Sequence, residues 1–167
     1  MFRRTVDPEE HDQVLNLLSR WSHSIAKIDK ATDAMRLTIA EQPLGMQSAE
    51  FEKARLGALE VFDMVRRETQ DPGFWPILYD KNGGKLLLDF QKNLEESHQH
   101  QLHHLRLLGA AAEAFRSGRE QDSPTSREMM SSNKAFTKAL DQMGATGRQL
   151  ARNYRITVQE YQADLRK

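Results

Sequence analysis

Four of the six histidines of this 167-residue chain lie close together, at His98, His100, His103 and His104. Histidine and carboxylate side chains are good ligands for Zn²⁺ and Ni²⁺, and the chain has no cysteine to compete with them. Residues three or four positions apart project from one side of a helix. Glu96, His100 and either His103 or His104 therefore predict a Zn²⁺ or Ni²⁺ site, and a solvent-facing polar surface is the alternative. No other cofactor is predicted.

The run from His103 to Arg106 suggests a second chemistry. It resembles the dimerisation and histidine-phosphotransfer hairpin of sensor kinases, where histidine, an acid, leucine and arginine lie on one of two long paired helices. The resemblance spans residues 95–160 and implies that His103 accepts a phosphoryl group whose charge Arg106 helps to neutralise. The chain departs from that pattern at two places, because His104 stands at the acidic position and Leu108 at the proline position.

His98 differs from its neighbours because it lies on the apolar stripe of its predicted helix. Counting equal rise from the end that holds both termini places it near Trp21 and Tyr154. We therefore expect a neutral core histidine with partners for both ring nitrogens, and a ligand cavity is the alternative. Glu95-x-x-His98 also has the spacing of di-iron carboxylate bundles. Those bundles need this pair twice and the chain has it once, so a ferritin-like centre is excluded.

Four stretches carry apolar residues at alternating spacings of four and three, which is typical of long helices in bundles and coiled coils. Asp7-Pro8 favours a helix start, and Gly118 favours a helix end. No stretch shows the alternation of a strand. The sequence predicts an all-α, antiparallel up-down-up-down four-helix bundle that forms one domain over residues 1–167. The helices are expected at about 8–42, 48–70, 85–118 and 124–165.

The connection predicted at 71–84 is apolar, although Pro76 and the turn Asn82-Gly83-Gly84 forbid a long helix there. The second helix is the shortest and leaves the groove uncovered at the end that holds the termini. Two interpretations stay open: the connection covers this end of the core, or its rings remain exposed and contact a partner. The candidate partner-binding residues are Phe74, Trp75, Ile77, Leu78 and Tyr79.

Composition narrows the classes of function. The 24 basic and 24 acidic residues cancel, so no net charge draws the molecule to nucleic acid. No stretch approaches the roughly 20 apolar residues of a membrane-spanning helix, and no apolar run follows the N-terminal arginines. We expect no nucleic-acid partner and no transmembrane segment. The expected location is cytoplasmic, or exported without a classical signal.

The chain has no glycine-rich phosphate loop and no local arrangement typical of a nucleophile, which favours a non-enzymatic function. We expect a protein-interaction module of the adaptor, chaperone, immunity-like or effector type. It would bind a protein partner through a helix face or through the aromatic residues 74–79. The alternative is a histidine-dependent metal-binding or phosphotransfer bundle. Polar residues on the apolar stripes, such as Thr32 and Asn133, would also suit pairing as a homodimer.

Overall fold

The computed structural model describes residues 4–41 and 45–166. Its helices are α1 (Pro8–Glu41), α2 (Ala49–Gln70), α3 (Lys81–Arg116), α4 (Ser126–Asn153) and the short α5 (Val158–Tyr161). Single 3₁₀ turns lie at Gly45–Gln47, Pro72–Phe74, Glu120–Asp122 and Ala163–Arg166. The described residues contain no strand, so the predicted all-α helical bundle is confirmed. The predicted end of the first helix at 42 lies outside the described residues.

Side chains that accept from free backbone amides define the starts of α2 and α4. Ser48 Oγ accepts from the amide of Phe51 at 3.1 Å, as its predicted capping role requires. Thr125 and Glu128 form a reciprocal capping box. Thr125 Oγ1 accepts from the amide of Glu128 at 3.1 Å, and Glu128 Oε2 accepts from the amide of Thr125 at 2.7 Å. Both helices therefore begin within two residues of their predicted positions.

The start of α3 corrects the sequence prediction. The helix begins at Lys81, four residues earlier than expected, so the predicted turn at 82–84 is wrong. Asp80 gives the reason, because its carboxylate accepts from the amide of Gly83 at 2.7 Å and caps the helix. A Cβ on Gly83 would lie 2.8 Å from Cζ of Tyr154, so any larger residue at this position would force the Tyr154 side chain to move. The connection from α2 therefore ends at Asp80.

The end of α4 is a second correction. This helix ends at Asn153, twelve residues before its predicted end. The chain turns at Arg155, whose φ is 57°, and Thr157 then caps α5. The apolar spacing continues across the break because Tyr154 and Tyr161 both reach the core. The predicted fourth helix is therefore two helices joined by a sharp turn.

The long helices pack mainly as two hairpins, α1 with α2 and α3 with α4. Near the termini the hairpins come together closely, because a Cβ on Gly147 would lie 3.3 Å from Phe90 and 3.4 Å from Trp21. This end holds the largest apolar cluster, formed by Val14, Leu17, Leu18, Phe74, Leu87, Leu150, Ala151, Tyr154, Ile156 and Tyr161. Further along, α1 and α4 share few contacts and leave a groove between them.

None of the helices within the described ranges is both long enough and apolar enough to cross a membrane. Each long helix instead buries one stripe and exposes the rest. The exposed faces carry the charged side chains, and several of these form ion pairs along or between helices, such as Arg67 with Asp63 at 2.7 Å. Such exposed pairs add little stability, so the buried stripes hold the bundle together.

Candidate functional site

The connection between α2 and α3 begins with a buried part. Phe74 is buried, and Trp75 packs edge to face against it and against Phe90. The distances between the ring centroids are 5.1 Å and 6.1 Å, respectively. The indole nitrogen of Trp75 donates to the carbonyl of Thr69 at 2.7 Å. Leu78 is partly buried against the same cluster. These three candidate residues therefore cover the end of the core, as the first interpretation expected.

The other two candidate residues point away from the core. The side chains of Ile77 and Tyr79 are 72% and 88% exposed. The backbone at Tyr79 is held, because Glu10 Oε1 accepts from the amides of Tyr79 at 2.9 Å and Asp80 at 3.2 Å. The connection therefore presents two large side chains, and hydrogen bonds fix the backbone at Tyr79.

A polar network fixes this end of the bundle. We call it the terminal network, and it consists of Arg4, Glu10, Asp80, Asn153 and Tyr154. The buried Glu10 also accepts from the Tyr154 hydroxyl at 3.2 Å, and Asp80 accepts from Asn153 Nδ2 at 3.1 Å and from Arg4. Four separate stretches of chain are joined in this way, so the network holds the connection to α1 and α4.

The pKa shifts of Tyr154 and Asp80 agree with the hydrogen bonds of the terminal network. Burial, and then the neighbouring carboxylate of Glu10, raise the pKa of the Tyr154 hydroxyl above its usual value. Burial also acts to raise the pKa of Asp80, but the hydrogen bonds from Gly83, Asn153 and Arg4 outweigh it and lower that pKa. Sequence reasoning missed this network. Its one signal was Glu10, an acid placed four residues before Val14 on the apolar stripe of the first helix.

A shallow depression of about 420 Å³ lies beside the exposed side chains. Its floor includes Phe74 and Trp75, and polar residues of α1 form one wall. Arg20 belongs to that wall, with its guanidinium 4.5 Å from the centre of the Phe74 ring and 3.2 Å from the Glu68 carboxylate. The depression is therefore apolar at its floor and charged at its edge.

The histidine cluster separates into different environments. His100 and His103 are exposed, whereas the half-buried His104 turns to α4, where its Nδ1 lies 2.6 Å from Ser132 Oγ. Burial, followed by the charge of His103, lowers the pKa of His104. Glu96 is half-buried on the same helix. In the part of the chain that the structure describes, no three metal-ligating side chains are grouped to hold an ion.

His100 and His103 line an open groove between the outer faces of α3 and α4, with a volume of about 500 Å³. Arg127 and Ser131 of α4 line it from the other side. Arg106, the predicted partner of a phosphorylated histidine, is also exposed but does not line this groove. The metal-binding and phosphotransfer predictions stay predictions.

His98 is buried as expected, but its predicted neighbours are wrong. Tyr154 packs against Gly83, and Trp21 packs against Phe90, more than two helical turns nearer the start of α3. Counting equal rise along the helices placed them wrongly because α3 begins earlier than predicted and α4 ends earlier. His98 instead lies at the middle of the bundle, opposite the α1–α4 groove.

The actual surroundings of His98 are mostly apolar. Its ring packs edge to face on Phe62, with the two ring centroids 5.2 Å apart, and the residue is 2% exposed. Neither ring nitrogen has a hydrogen-bond partner among the described residues. Burial lowers the pKa of His98 to about 4, and the charge of Arg66 acts in the same direction, against Glu95. The imidazole is therefore neutral near pH 7.

Polar residues of α1 extend along the groove opposite His98. Asp29, Thr32, Asp33 and Arg36 share one face of that helix, at spacings of three and four. Sequence reasoning assigned only Thr32 to a stripe and left the other three unassigned. Their common spacing was the available signal.

Comparison with protein-family models, with curated proteins and with solved structures finds no match for this chain.

Proposed function

We propose that this protein is a non-enzymatic binding module that docks a protein partner through the connection between α2 and α3. The observation that carries the proposal is the exposure of Ile77 and Tyr79, at 72% and 88%, in a connection whose backbone Glu10 holds at Tyr79 and Asp80. Exposed apolar side chains on a fixed backbone bind at a small entropic cost because little freedom remains to be lost. Aromatic residues of this kind often dominate binding energy.

The chemistry of this surface describes the partner. Two apolar side chains project beside a depression whose floor is apolar and whose edge carries Glu9 and Arg20. The matching surface is an apolar pocket that receives Tyr79, with a polar rim that pairs with these charges. A second copy of the chain is one such partner. Light scattering on the purified protein tests that case directly, because a dimer doubles the mass.

The decisive experiment compares three forms of the protein as baits for proteins from cells that express it. These are the wild type, the double variant Ile77→Ser with Tyr79→Ser, and Met130→Ser. Met130 is the matched control because it is 72% exposed, like Ile77, but lies at the start of α4. We expect the double variant to lose at least about tenfold of a captured protein that Met130→Ser retains. Equal capture by all three forms would contradict the proposal.

Thermal melting of the same three forms separates binding from folding. All three residues are exposed, so each substitution should change the free energy of unfolding by no more than about 0.5 kcal/mol. A large loss of stability in the double variant alone would mean that the connection had moved. In that case the binding result would report folding instead of contact.

Histidine chemistry on the outer face of α3 is the second candidate function. The observation in its favour is that His100 and His103 are exposed in one groove with Arg127 facing them. Calorimetric titration with Zn²⁺ and Ni²⁺ tests metal binding, and transfer of labelled phosphate to wild type and to His103→Ala tests phosphotransfer. Metal affinity weaker than a Kd of about 100 µM, together with no label transfer, would leave the protein-binding proposal alone.

A further inference from the structure

The α1–α4 groove contains two connected spaces. The smaller, of about 70 Å³, lies against His98, and the larger, of about 270 Å³, extends toward Met35 and Phe51. Four residues line both spaces and so join them: Thr32, Arg36, Gln101 and Phe136. The combined size lies at the lower end of the range of about 300 to 1,000 Å³ that is typical of small-molecule pockets.

The groove exists because α1 turns a polar face toward α4. Asp29, Thr32, Asp33 and Arg36 cannot pack against Phe136 as apolar side chains would, so the two helices stay apart here. The ion pair between Arg36 and Asp33, at 3.5 Å, is exposed and lies at the mouth. Beneath it the walls become apolar, through Ile25, Ile28, Leu94, Phe136 and Leu140. The groove is thus polar at its mouth and apolar within.

Two buried polar side chains lie at the bottom of this groove. His98 and Gln101 are 2% and 6% exposed, and both line the smaller space. A neutral imidazole has one donor and one acceptor nitrogen, and neither finds a partner among the described residues. An unpaired buried polar group costs about 1 to 3 kcal/mol. A ligand that supplied a hydrogen bond here would recover part of that cost.

The charges around the groove define the class of ligand. Asp29 and Asp33 stand at the mouth and oppose an anion, and burial together with Asp33 already raises the pKa of Asp29. Arg36 beside them opposes a cation. The apolar walls and the neutral His98 favour an uncharged molecule. A single hydroxyl group can donate to the imidazole and accept from the Gln101 amide at the same time.

We propose that the α1–α4 groove binds a small, uncharged, largely apolar molecule that carries one hydroxyl group, with His98 and Gln101 binding that hydroxyl. The apolar body occupies the larger space, between Met35, Phe51 and Phe136. This site is separate from the exposed connection at Ile77 and Tyr79, and it neither requires nor excludes the protein partner.

The test uses the purified full chain and three probes that share an ethyl-substituted benzene ring and differ in the polar group: 4-ethylphenol, ethylbenzene and 4-ethylbenzoate. Calorimetry gives the affinities, and amide chemical shifts show where each probe binds. We expect 4-ethylphenol to bind at least about tenfold more tightly than ethylbenzene, because only the phenol pairs with the buried polar groups. We expect 4-ethylbenzoate to bind more weakly still. Equal affinities, or no binding by any probe, would overturn the proposal.

Two variants locate the site. His98→Leu should abolish the preference for the phenol over ethylbenzene, whereas Gln99→Leu, at an exposed position on the same helix, should leave it unchanged. Thr32→Trp should fill the groove while keeping the histidine in the sequence, and it should weaken all three probes by at least about tenfold. Thr32→Trp also serves if His98→Leu fails to fold. Unchanged phenol binding in Thr32→Trp would place the probe elsewhere and refute the site.

Discussion

The terminal network and the α1–α4 groove treat buried polar groups in opposite ways. At the terminal network, Glu10 is 6% exposed and accepts three hydrogen bonds, from Tyr79, Asp80 and Tyr154. In the groove, His98 is 2% exposed and has no partner among the described residues. A satisfied buried group adds order to a fold, whereas an unsatisfied one lowers its stability. The terminal network therefore stabilises the fold, whereas the unpaired imidazole of His98 lowers its stability.

The largest expected effect comes from crowding the terminal network. Gly83→Ala places a methyl group against Tyr154, which must move away and release Glu10. We expect a loss of about 4 kcal/mol, the sum of overpacking and a lost buried hydrogen bond. Gly84→Ala is the control, because the nearest atom to its Cβ is the Leu78 carbonyl oxygen at 3.5 Å. Urea unfolding measures both, and similar stabilities would mean that Tyr154 is not fixed there.

The connection itself should divide as its burial does. Trp75→Ala removes a half-buried indole and its bond to Thr69, and we expect it to cost about 3 kcal/mol. Tyr79→Ala removes a side chain that is 88% exposed and should cost less than about 0.5 kcal/mol. Thermal or urea melts measure the loss of unfolding free energy in each variant. The ratio of the two losses tests whether Trp75 belongs to the core while Tyr79 does not. A loss below about 1 kcal/mol in Trp75→Ala would show that the segment does not cover the core.

Burial of His98 in the groove should make the stability of the protein depend on pH. The pKa of His98 is about 4 in the folded protein, against 6.5 in the unfolded chain. Between these values the unfolded chain binds a proton that the folded protein does not. The free energy of unfolding should therefore fall as the pH drops from about 6.5 to about 4, by on the order of 3 kcal/mol. His98→Leu should remove this fall.

His100→Leu is the matched control for that profile, because it makes the same substitution at an exposed position of the same helix. Urea unfolding at about pH 7 and about pH 4.5 is sufficient to compare the three proteins. Equal slopes for wild type and His98→Leu would contradict the burial of a neutral imidazole. Neither substitution alters the charged groups around the ring, which are Glu95, Arg66, Asp29, Asp33 and Arg36.

The smallest expected effect concerns the turn into α5. Thr157→Ala removes one half of the capping box with Glu160, whose bonds are 3.3 and 2.6 Å, and should cost about 1 kcal/mol. Thr137→Ala is the control, because the only bond of that hydroxyl within residues 4–41 and 45–166 is to the Asn133 carbonyl in α4. It should be neutral or slightly stabilising, since alanine is the better helix former. Thermal melting distinguishes these outcomes.

Local chemistry predicted the helices well where it acts alone. Ser48 begins α2 by capping it, and Gly118, at φ 69°, follows the end of α3. The failures arose where distant residues decide. Asn82, Gly83 and Gly84 form a helical turn because Asp80 caps it and Tyr154 lies against Gly83. Tyr154 is far from that turn in the sequence, so its contact with Gly83 could not be predicted from the local pattern.

The candidate sites divide in the same way. The sequence predicted that His98 belongs to the core stripe and that His100, with either His103 or His104, lies on a different face. In the structure His98 is buried, His100 and His103 are exposed, and His104 is half-buried. It could not predict that His98 lies opposite the polar face of α1, because that depends on how the two hairpins are offset. The break after Asn153 had a readable signal in Thr157-x-x-Glu160, a capping box that begins a new helix.

The bond between Tyr154 and Glu10 also has a consequence for the order of folding. It joins residues 144 positions apart, whereas each helical hairpin is built from contacts closer in sequence. Closing a long loop costs entropy that local contacts avoid, so we expect the hairpins to form first and this bond last. The amides of Tyr79 and Asp80 donate to the same carboxylate. Their hydrogen exchange should therefore follow the separation of the two hairpins and not the fraying of a single helix.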